Sequence, residues 1–197
     1  MALTFITGPA SSGKSAFAVR LALESGRDVT YIATAAGEPE DIEWRARLAR
    51  HVRDRPSSWR TVETAGMAQR AQLALFREAP AGGCLLVDAL GTWLSARIAD
   101  RIDLLEIDYN VLASQLDAEA AEYVDAMLAS PASIIVVSEQ FGWDVVPMEA
   151  SARLFRDAIG RMVQRVAKHA ESAYLVIAGY ALDLRASAAQ IGCDLGR

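Results

Sequence analysis

Residues 8–15 read Gly8-Pro9-Ala10-Ser11-Ser12-Gly13-Lys14-Ser15, and they fit the pattern G-x-x-x-x-G-K-[ST]. Its glycines let the backbone turn until N–H groups converge on phosphate oxygens. A helix is expected to begin at Lys14, and the free N–H groups at its start favour an anion. In this pattern Lys14 reaches the β- and γ-phosphates of a nucleoside triphosphate, and Ser15 offers its hydroxyl to Mg²⁺.

The flanking residues supply the setting that such a loop requires. Leu3 to Thr7 is a short apolar run rich in strand formers, ending at Gly8. Lys14 to Glu24 has helical spacing, with Phe17, Ala18 and Leu21 on one face, and Gly26 ends it. Val29 to Ala33 is a second strand, so the opening reads as a βαβ unit. Further on, a helix is expected from about Asp41 to about His51, a short strand over Trp59–Glu63 and a helix over Met67–Glu78. Cys84–Asp88, Ile134–Ser138 and Tyr174–Ala178 are compact apolar strands. Tyr109–Leu128 and Arg153–Ala170 are helical, the first burying Leu112, Leu116, Val124 and Met127, the second Leu154, Ala158, Met162 and Val166. Unbroken apolar strands alternating with helices predict an α/β fold of the P-loop nucleoside triphosphate hydrolase type, a mostly parallel sheet covered on both faces. No linker or repeat divides the chain, so residues 1–185 are read as one catalytic domain and 186–197 as a tail.

Composition narrows the function. The 197 residues are 52 % apolar and 23 % charged, with 25 acidic and 20 basic side chains giving a net charge of -5. A broad nucleic-acid footprint needs the opposite balance. No run approaches the roughly 18 apolar residues of a membrane span. The start has no basic leader, and Cys84 and Cys193 read as free thiols in a reducing compartment. A cytoplasmic protein is the expectation.

A P-loop needs an acid near the metal. Asp88 follows Leu85-Leu86-Val87 at the end of a strand, where a parallel sheet places active-site groups. It is the expected Mg²⁺ carboxylate, with Ser15; the plainer role is a turn or helix cap. Glu139, at the exit of Ile134–Ser138, fits either the orientation of a substrate hydroxyl or water, or a surface turn.

Of the two histidines, His169 sits late in a helix beside Lys168, an ordinary place for a surface side chain. His51 stands among Arg47, Arg50, Arg53 and Arg55, with Pro56 and Trp59 close behind. That pattern fits a basic solvated helix end. It equally fits phosphate contact or nucleophilic catalysis, because neutral imidazole attacks phosphorus and arginines offset phosphate charge. Two histidines and two cysteines so scattered make no zinc site.

With ITGPASSGKS, YIAT, RLARHVRDRPSSWRTVE, LLVDALGTWL, VVSEQFGWDVVP and RLFRDAIGRMVQRVAKHAESAYLVIAG in view, the chain resembles the bifunctional adenosylcobinamide kinase/adenosylcobinamide-phosphate guanylyltransferase family of cobalamin biosynthesis. The spacing R-x-x-x-H-x-x-x-R-P-x-x-W-x-T-x-E, from Arg47 to Glu63, carries most of that specificity, and Phe155-Arg156-Asp157 to Gly160 supports it.

The resemblance implies two reactions. The terminal hydroxyl of the aminopropanol arm of adenosylcobinamide is phosphorylated with ATP or GTP. GMP then passes from GTP to that phosphate through a covalent histidine–GMP intermediate, giving adenosylcobinamide-GDP and pyrophosphate. His51 matches the histidine. The GTP-contacting positions fall on Thr34, Ala35 and Ala36, on Val52, Arg53, Asp54 and Arg55, on Glu63 and on Asp88, besides Gly8 to Ser15. Thr34 is expected to donate a hydrogen bond beside the phosphates, and Ala35 and Ala36 to contribute backbone and packing. Arg53 and Arg55 are expected on phosphate or in surface ion pairs. The resemblance further implies Mg²⁺ and a homo-oligomer, with a trimer the suggested form. The chain departs from the family pattern at Pro9, which lacks an N–H, at Val52 where lysine is common, and at Val163 where asparagine is common. A single-activity P-loop kinase or a non-enzymatic nucleotide-dependent module also explains Gly8–Ser15. Neither explains His51, Arg55, Pro56, Trp59 and Glu63 together as well.

Overall fold

Strands β1 (Leu3–Gly8), β2 (Val29–Ala33), β3 (Arg60–Glu63), β4 (Cys84–Asp88), β5 (Ser133–Glu139), β6 (Ser172–Ile177) and β7 (Tyr180–Asp183) form one sheet in the order β3-β2-β4-β5-β1-β6-β7. These come from a computed structural model, which describes residues 2–35, 55–102, 108–143 and 145–187. Every pairing is parallel except β6 with β7. The six helices among the described residues are α1 (Lys14–Glu24), α2 (Gln69–Arg77), α3 (Leu90–Ile102), α4 (Tyr109–Leu128), α5 (Ala150–His169) and α6 (Leu184–Ser187).

Strand alternation divides the core in two. Leu3, Phe5, Ile32, Leu85, Val87, Ile134 and Val136 point to one face, where they pack with Phe76 of α2, Trp93 and Leu94 of α3, Leu116 and Tyr123 of α4 and Ile159 of α5. Ile6, Tyr31, Cys84, Leu86, Ile135 and Val137 point to the other, under Ala18 and Ala22 of α1. Both faces being covered is why these strands read as continuous apolar runs. One buried amide ties the thicker layer together. Gln72 accepts from Trp93 Nε1 at 2.8 Å and donates to the carbonyls of Thr64 and Met67 at 3.1 and 2.8 Å, so its polar atoms are satisfied inside the core. Helices α4 and α5 are also joined by Arg161–Asp117 and Arg165–Asp125 pairs at 2.9 and 2.8 Å. Both are exposed enough to be worth about 1 kcal/mol or less each.

Several boundaries differ from the sequence reading. Helix α3 occupies 90–102, where the sequence reading provides no element: Leu90, Trp93, Leu94 and Ile98 form a buried stripe at helical spacing, but Gly91 stands in the first turn, three residues after Asp88. Helix α5 starts at Ala150 rather than Arg153, with the Arg153 guanidinium donating to the Pro147 carbonyl at 2.9 Å. Strand β6 ends at Ile177, because Ala178 and Gly179 take φ of 51° and 81°. Two central residues at positive φ make the tight turn whose twist suits a hairpin, and β7 follows. Trp59 precedes β3 and packs partly buried on the α1 side. Ala186 and Ser187 of the expected tail belong to α6. The expected helix from Asp41 to His51 lies outside the described residues.

Candidate functional site

The C-terminal ends of the parallel strands bring Gly8, Glu63, Asp88 and Glu139 to one rim. Register aligns Glu63 with Ala33 and Ala33 with Asp88; β5 and β1 follow, with Gly8 opposite Glu139. Glu63 is exposed on the outer strand, two strand spacings from Asp88, roughly 10 Å at the usual interval.

The loop between β1 and α1 has a backbone that its sequence explains. Gly13 has φ 98° and caps α1, and Ser11 also lies in the left-handed region at φ 57°. Ser12 N–H donates to the Pro9 carbonyl at 3.3 Å, and Phe17 N–H to the Gly13 carbonyl at 2.9 Å. Gly8 is required by contact: a Cβ there would lie 2.2 Å from the Val176 carbonyl oxygen and 2.8 Å from Ser12 Oγ. The β6–β7 turn braces the far side, with Gly179 N–H donating to the Ser12 carbonyl at 3.0 Å. Lys14 is buried, and its Nζ donates to the Pro9 carbonyl at 3.3 Å, which folds the ammonium back over the loop. Pro9, which contributes no N–H, thus contributes an acceptor.

Asp88 joins the loop to the sheet. Ser15 Oγ donates to Asp88 Oδ1 at 3.3 Å, and Tyr31 OH donates to Asp88 Oδ2 at 2.5 Å. Burial first, and then the Asp88 carboxylate, raise the Tyr31 pKa well above its ordinary value, so the phenol stays a donor. The Arg55 guanidinium stacks on the Tyr31 ring, 3.6 Å from its centroid. Arg55, expected on phosphate or in a surface ion pair, therefore has an aromatic seat beside Asp88. Sequence reasoning misses Tyr31. Its strand position announces a core residue, and its hydroxyl meets Asp88 only through the pairing of β2 with β4.

A hydroxyl and a carboxylate oxygen in contact suit a hard cation that takes oxygen ligands, as Mg²⁺ does. Among the described residues no group of three or more His, Cys, Asp or Glu side chains gathers to hold a metal. The pair fits an ion that draws its other ligands from phosphate and water.

Thr34 is placed differently from expectation. Its hydroxyl is buried, donates to the Ala89 carbonyl at 2.6 Å, accepts from Ala89 N–H at 2.8 Å and lies 2.6 Å from Thr92 Oγ1. These bonds lock the turn after Asp88 and the start of α3, and the side chain acts on backbone. Ala35 follows it at the strand exit. Ala36, His51, Val52, Arg53 and Asp54 lie outside the described residues. His169 is exposed at the last position of α5. A shallow groove of about 350 Å³ between α3 and α5 is lined by Ser95, Ile98, Ala99, Ser151, Ala152 and Phe155. No described helix is long and apolar enough to cross a membrane.

Comparisons with known proteins place the chain in a family. Residues 4–184 match the family described as cobinamide kinase / cobinamide phosphate guanyltransferase. The bifunctional adenosylcobalamin biosynthesis protein CobP of Pseudomonas aeruginosa is 39 % identical over 180 residues, 91 % of this chain and 95 % of that one. The bifunctional adenosylcobalamin biosynthesis protein CobU of Escherichia coli is 31 % identical over 186 residues, 93 % of this chain and 99 % of that one. Among solved structures, a prototypical ATPase from the type III secretion system of pathogenic bacteria superimposes with a TM-score of 0.53 at 11 % identity, covering 96 % of this chain and 59 % of that one. The likeness establishes a P-loop nucleoside triphosphate hydrolase-like fold.

Proposed function

This chain belongs to the cobinamide kinase / cobinamide phosphate guanyltransferase family, and from that membership we propose that it phosphorylates the terminal hydroxyl of the aminopropanol arm of adenosylcobinamide, using ATP or GTP, and then converts the phosphate to adenosylcobinamide-GDP with GTP. It is a bifunctional enzyme, a kinase and a guanylyltransferase. The observation that carries the proposal is the family match across residues 4–184, joined to a P-loop whose Ser15 touches Asp88.

The chemistry follows from the residues. The N–H groups of the loop from Gly8 to Ser15, Pro9 having none, and the Lys14 ammonium hold the triphosphate and oppose the charge that develops on it. Ser15 and Asp88 would hold Mg²⁺, which supplies further charge neutralisation at the phosphates. Tyr31 fixes the Asp88 carboxylate from its other oxygen. In the kinase step the acceptor hydroxyl oxygen bonds to the γ-phosphorus, and the bond to the β,γ-bridging oxygen breaks. In the second step an imidazole nitrogen of His51 attacks the α-phosphorus of GTP, and pyrophosphate leaves. An oxygen of adenosylcobinamide phosphate then attacks the same phosphorus and releases His51. Thr34, Ala35, Ala36, Val52, Arg53, Asp54, Arg55 and Glu63 are proposed to line the guanine nucleotide's site. Family likeness also leads us to propose a homo-oligomer, with a trimer as the form to test, working in the cytoplasm.

The test is product analysis with adenosylcobinamide, ATP, GTP and Mg²⁺. The phosphate ester forms first, then the GDP ester with one pyrophosphate released. Lys14→Ala lowers turnover in both reactions by roughly 100-fold; unchanged kinetics contradict its role.

A further inference from the structure

Phosphorylating an alcohol makes one demand that the P-loop leaves unmet. The hydroxyl proton must go somewhere as its oxygen attacks phosphorus. Glu139 ends β5, the strand between P-loop strand β1 and Asp88 strand β4. It aligns with Gly8, and the next residue is fastened to the loop: Gln140 N–H donates to the Gly8 carbonyl at 2.9 Å, and Thr7 Oγ1 donates to Gln140 Oε1 at 3.3 Å. Glu139 is thereby held at the flank of the phosphate cradle.

Its carboxylate packs against the start of α3. Oε2 is shielded from solvent, lying over Gly91 in the first turn of α3. A Cβ at Gly91 would stand 2.3 Å from Oε2 and 3.3 Å from the Phe141 ring. Phe141 in turn meets Phe155 edge-on, with centroids 4.8 Å apart. Glycine at 91 is what leaves the space, and the aromatic pair makes one side of the surroundings apolar.

We propose that Glu139 is the general base of the kinase step, and that Gly91 is a positioning residue that leaves room for its carboxylate. The inference rests on the kinase reading above. The acceptor O–H bond breaks, and its proton passes to a carboxylate oxygen of Glu139. The acceptor oxygen bonds to the γ-phosphorus, and the nucleoside diphosphate leaves with the β,γ-bridging oxygen. The protonated carboxyl then returns its proton to water. Guanylyl transfer makes no such demand, because its acceptor is a phosphate ester already ionised near neutral pH. A carboxylate at the start of α3 also favours the helix electrostatically, a role that would not distinguish the two reactions.

Glu139→Gln separates the roles, since glutamine fills the same space and accepts hydrogen bonds but takes no proton. Each reaction is assayed separately: adenosylcobinamide with ATP, and adenosylcobinamide phosphate with GTP. The expected result is a kinase kcat lowered at least 100-fold, with the ATP KM and the rate of guanylyl transfer each within about threefold of wild type. Glu139→Asp is expected to restore part of the kinase rate. Gly91→Ala should lower kinase kcat by about tenfold or more through displacement of the carboxylate, with the ATP KM little changed. Kinase kcat within fivefold of wild type in Glu139→Gln, or a parallel loss of both reactions, overturns the proposal. A wild-type chain inactive in both reactions overturns the proposed function itself, so the two failures are distinguishable.

Discussion

Tyr31 OH donates to one oxygen of Asp88 at 2.5 Å, while Ser15 Oγ donates to the other at 3.3 Å. Tyr31 comes from β2, Asp88 from β4, and Ser15 from the first turn of α1. The phenol therefore fixes the carboxylate from behind, and Arg55 stacked on its ring connects that carboxylate to the segment that carries His51 four residues earlier.

Removing only the hydroxyl tests this arrangement. Tyr31→Phe keeps the ring under Arg55 and deletes the bond to Asp88. Outer hydrogen bonds of this kind typically change metal affinity by 10–100-fold. The affinity for Mn²⁺, followed by its paramagnetic resonance with a non-hydrolysable GTP analogue bound, is expected to fall by about tenfold. Unchanged Mn²⁺ affinity would show that Asp88 is oriented without Tyr31.

Gly8 is tested by sterics. An added methyl would meet the Val176 carbonyl at 2.2 Å, and backbone gives way less readily than a side-chain tip. Gly8→Ala is expected to destabilise the fold by about 1–3 kcal/mol and to weaken triphosphate binding, because β6 must shift where Gly179 braces the loop. Urea unfolding and nucleotide titration read the two effects. Wild-type values in both would refute the close approach of β1 and β6.

A pH dependence follows from Cys84. Burial pushes its thiol up to about 11 from an ordinary 9.0, against a smaller opposing effect of Arg27. The fold thus prefers the protonated thiol. Its stabilisation is complete below pH 9.0 and is lost as pH rises toward 11, a change of about 2–3 kcal/mol. Tyr31 and Tyr123, also raised by burial, lose theirs beginning higher, above pH 10.0. Wild type and Cys84→Ala are compared by urea unfolding across that window. The variant should lose stability less steeply, and parallel curves would contradict the assignment.

Those groups also show what a sequence can disclose. The parallel strands are legible because burial on both faces makes them apolar runs, and the phosphate loop because its glycines and lysine are adjacent in the chain. Asp88 is legible from its strand-end position. Tyr31 is not, since its partner arrives by pairing 57 residues away. Helix α3 is hidden by Gly91, whose place in a helix makes sense only once the Glu139 carboxylate is seen lying over it. Thr34 is hidden in the same way as Tyr31: its hydroxyl meets the Ala89 backbone only through the pairing of β2 with β4. Strand β7 escapes because four residues, Tyr180–Asp183, are too few to show a period.

The rest depends on the proposal that the chain carries GMP covalently on His51 during guanylyl transfer. Intact mass after incubation with GTP and Mg²⁺, followed by peptide mapping, tests it most directly. One GMP added per chain is expected, mapped to His51, absent from His51→Ala and discharged by adenosylcobinamide phosphate. Adenosylcobinamide-GDP formed at the wild-type rate by His51→Ala, or an adduct that persists in that variant, would contradict it.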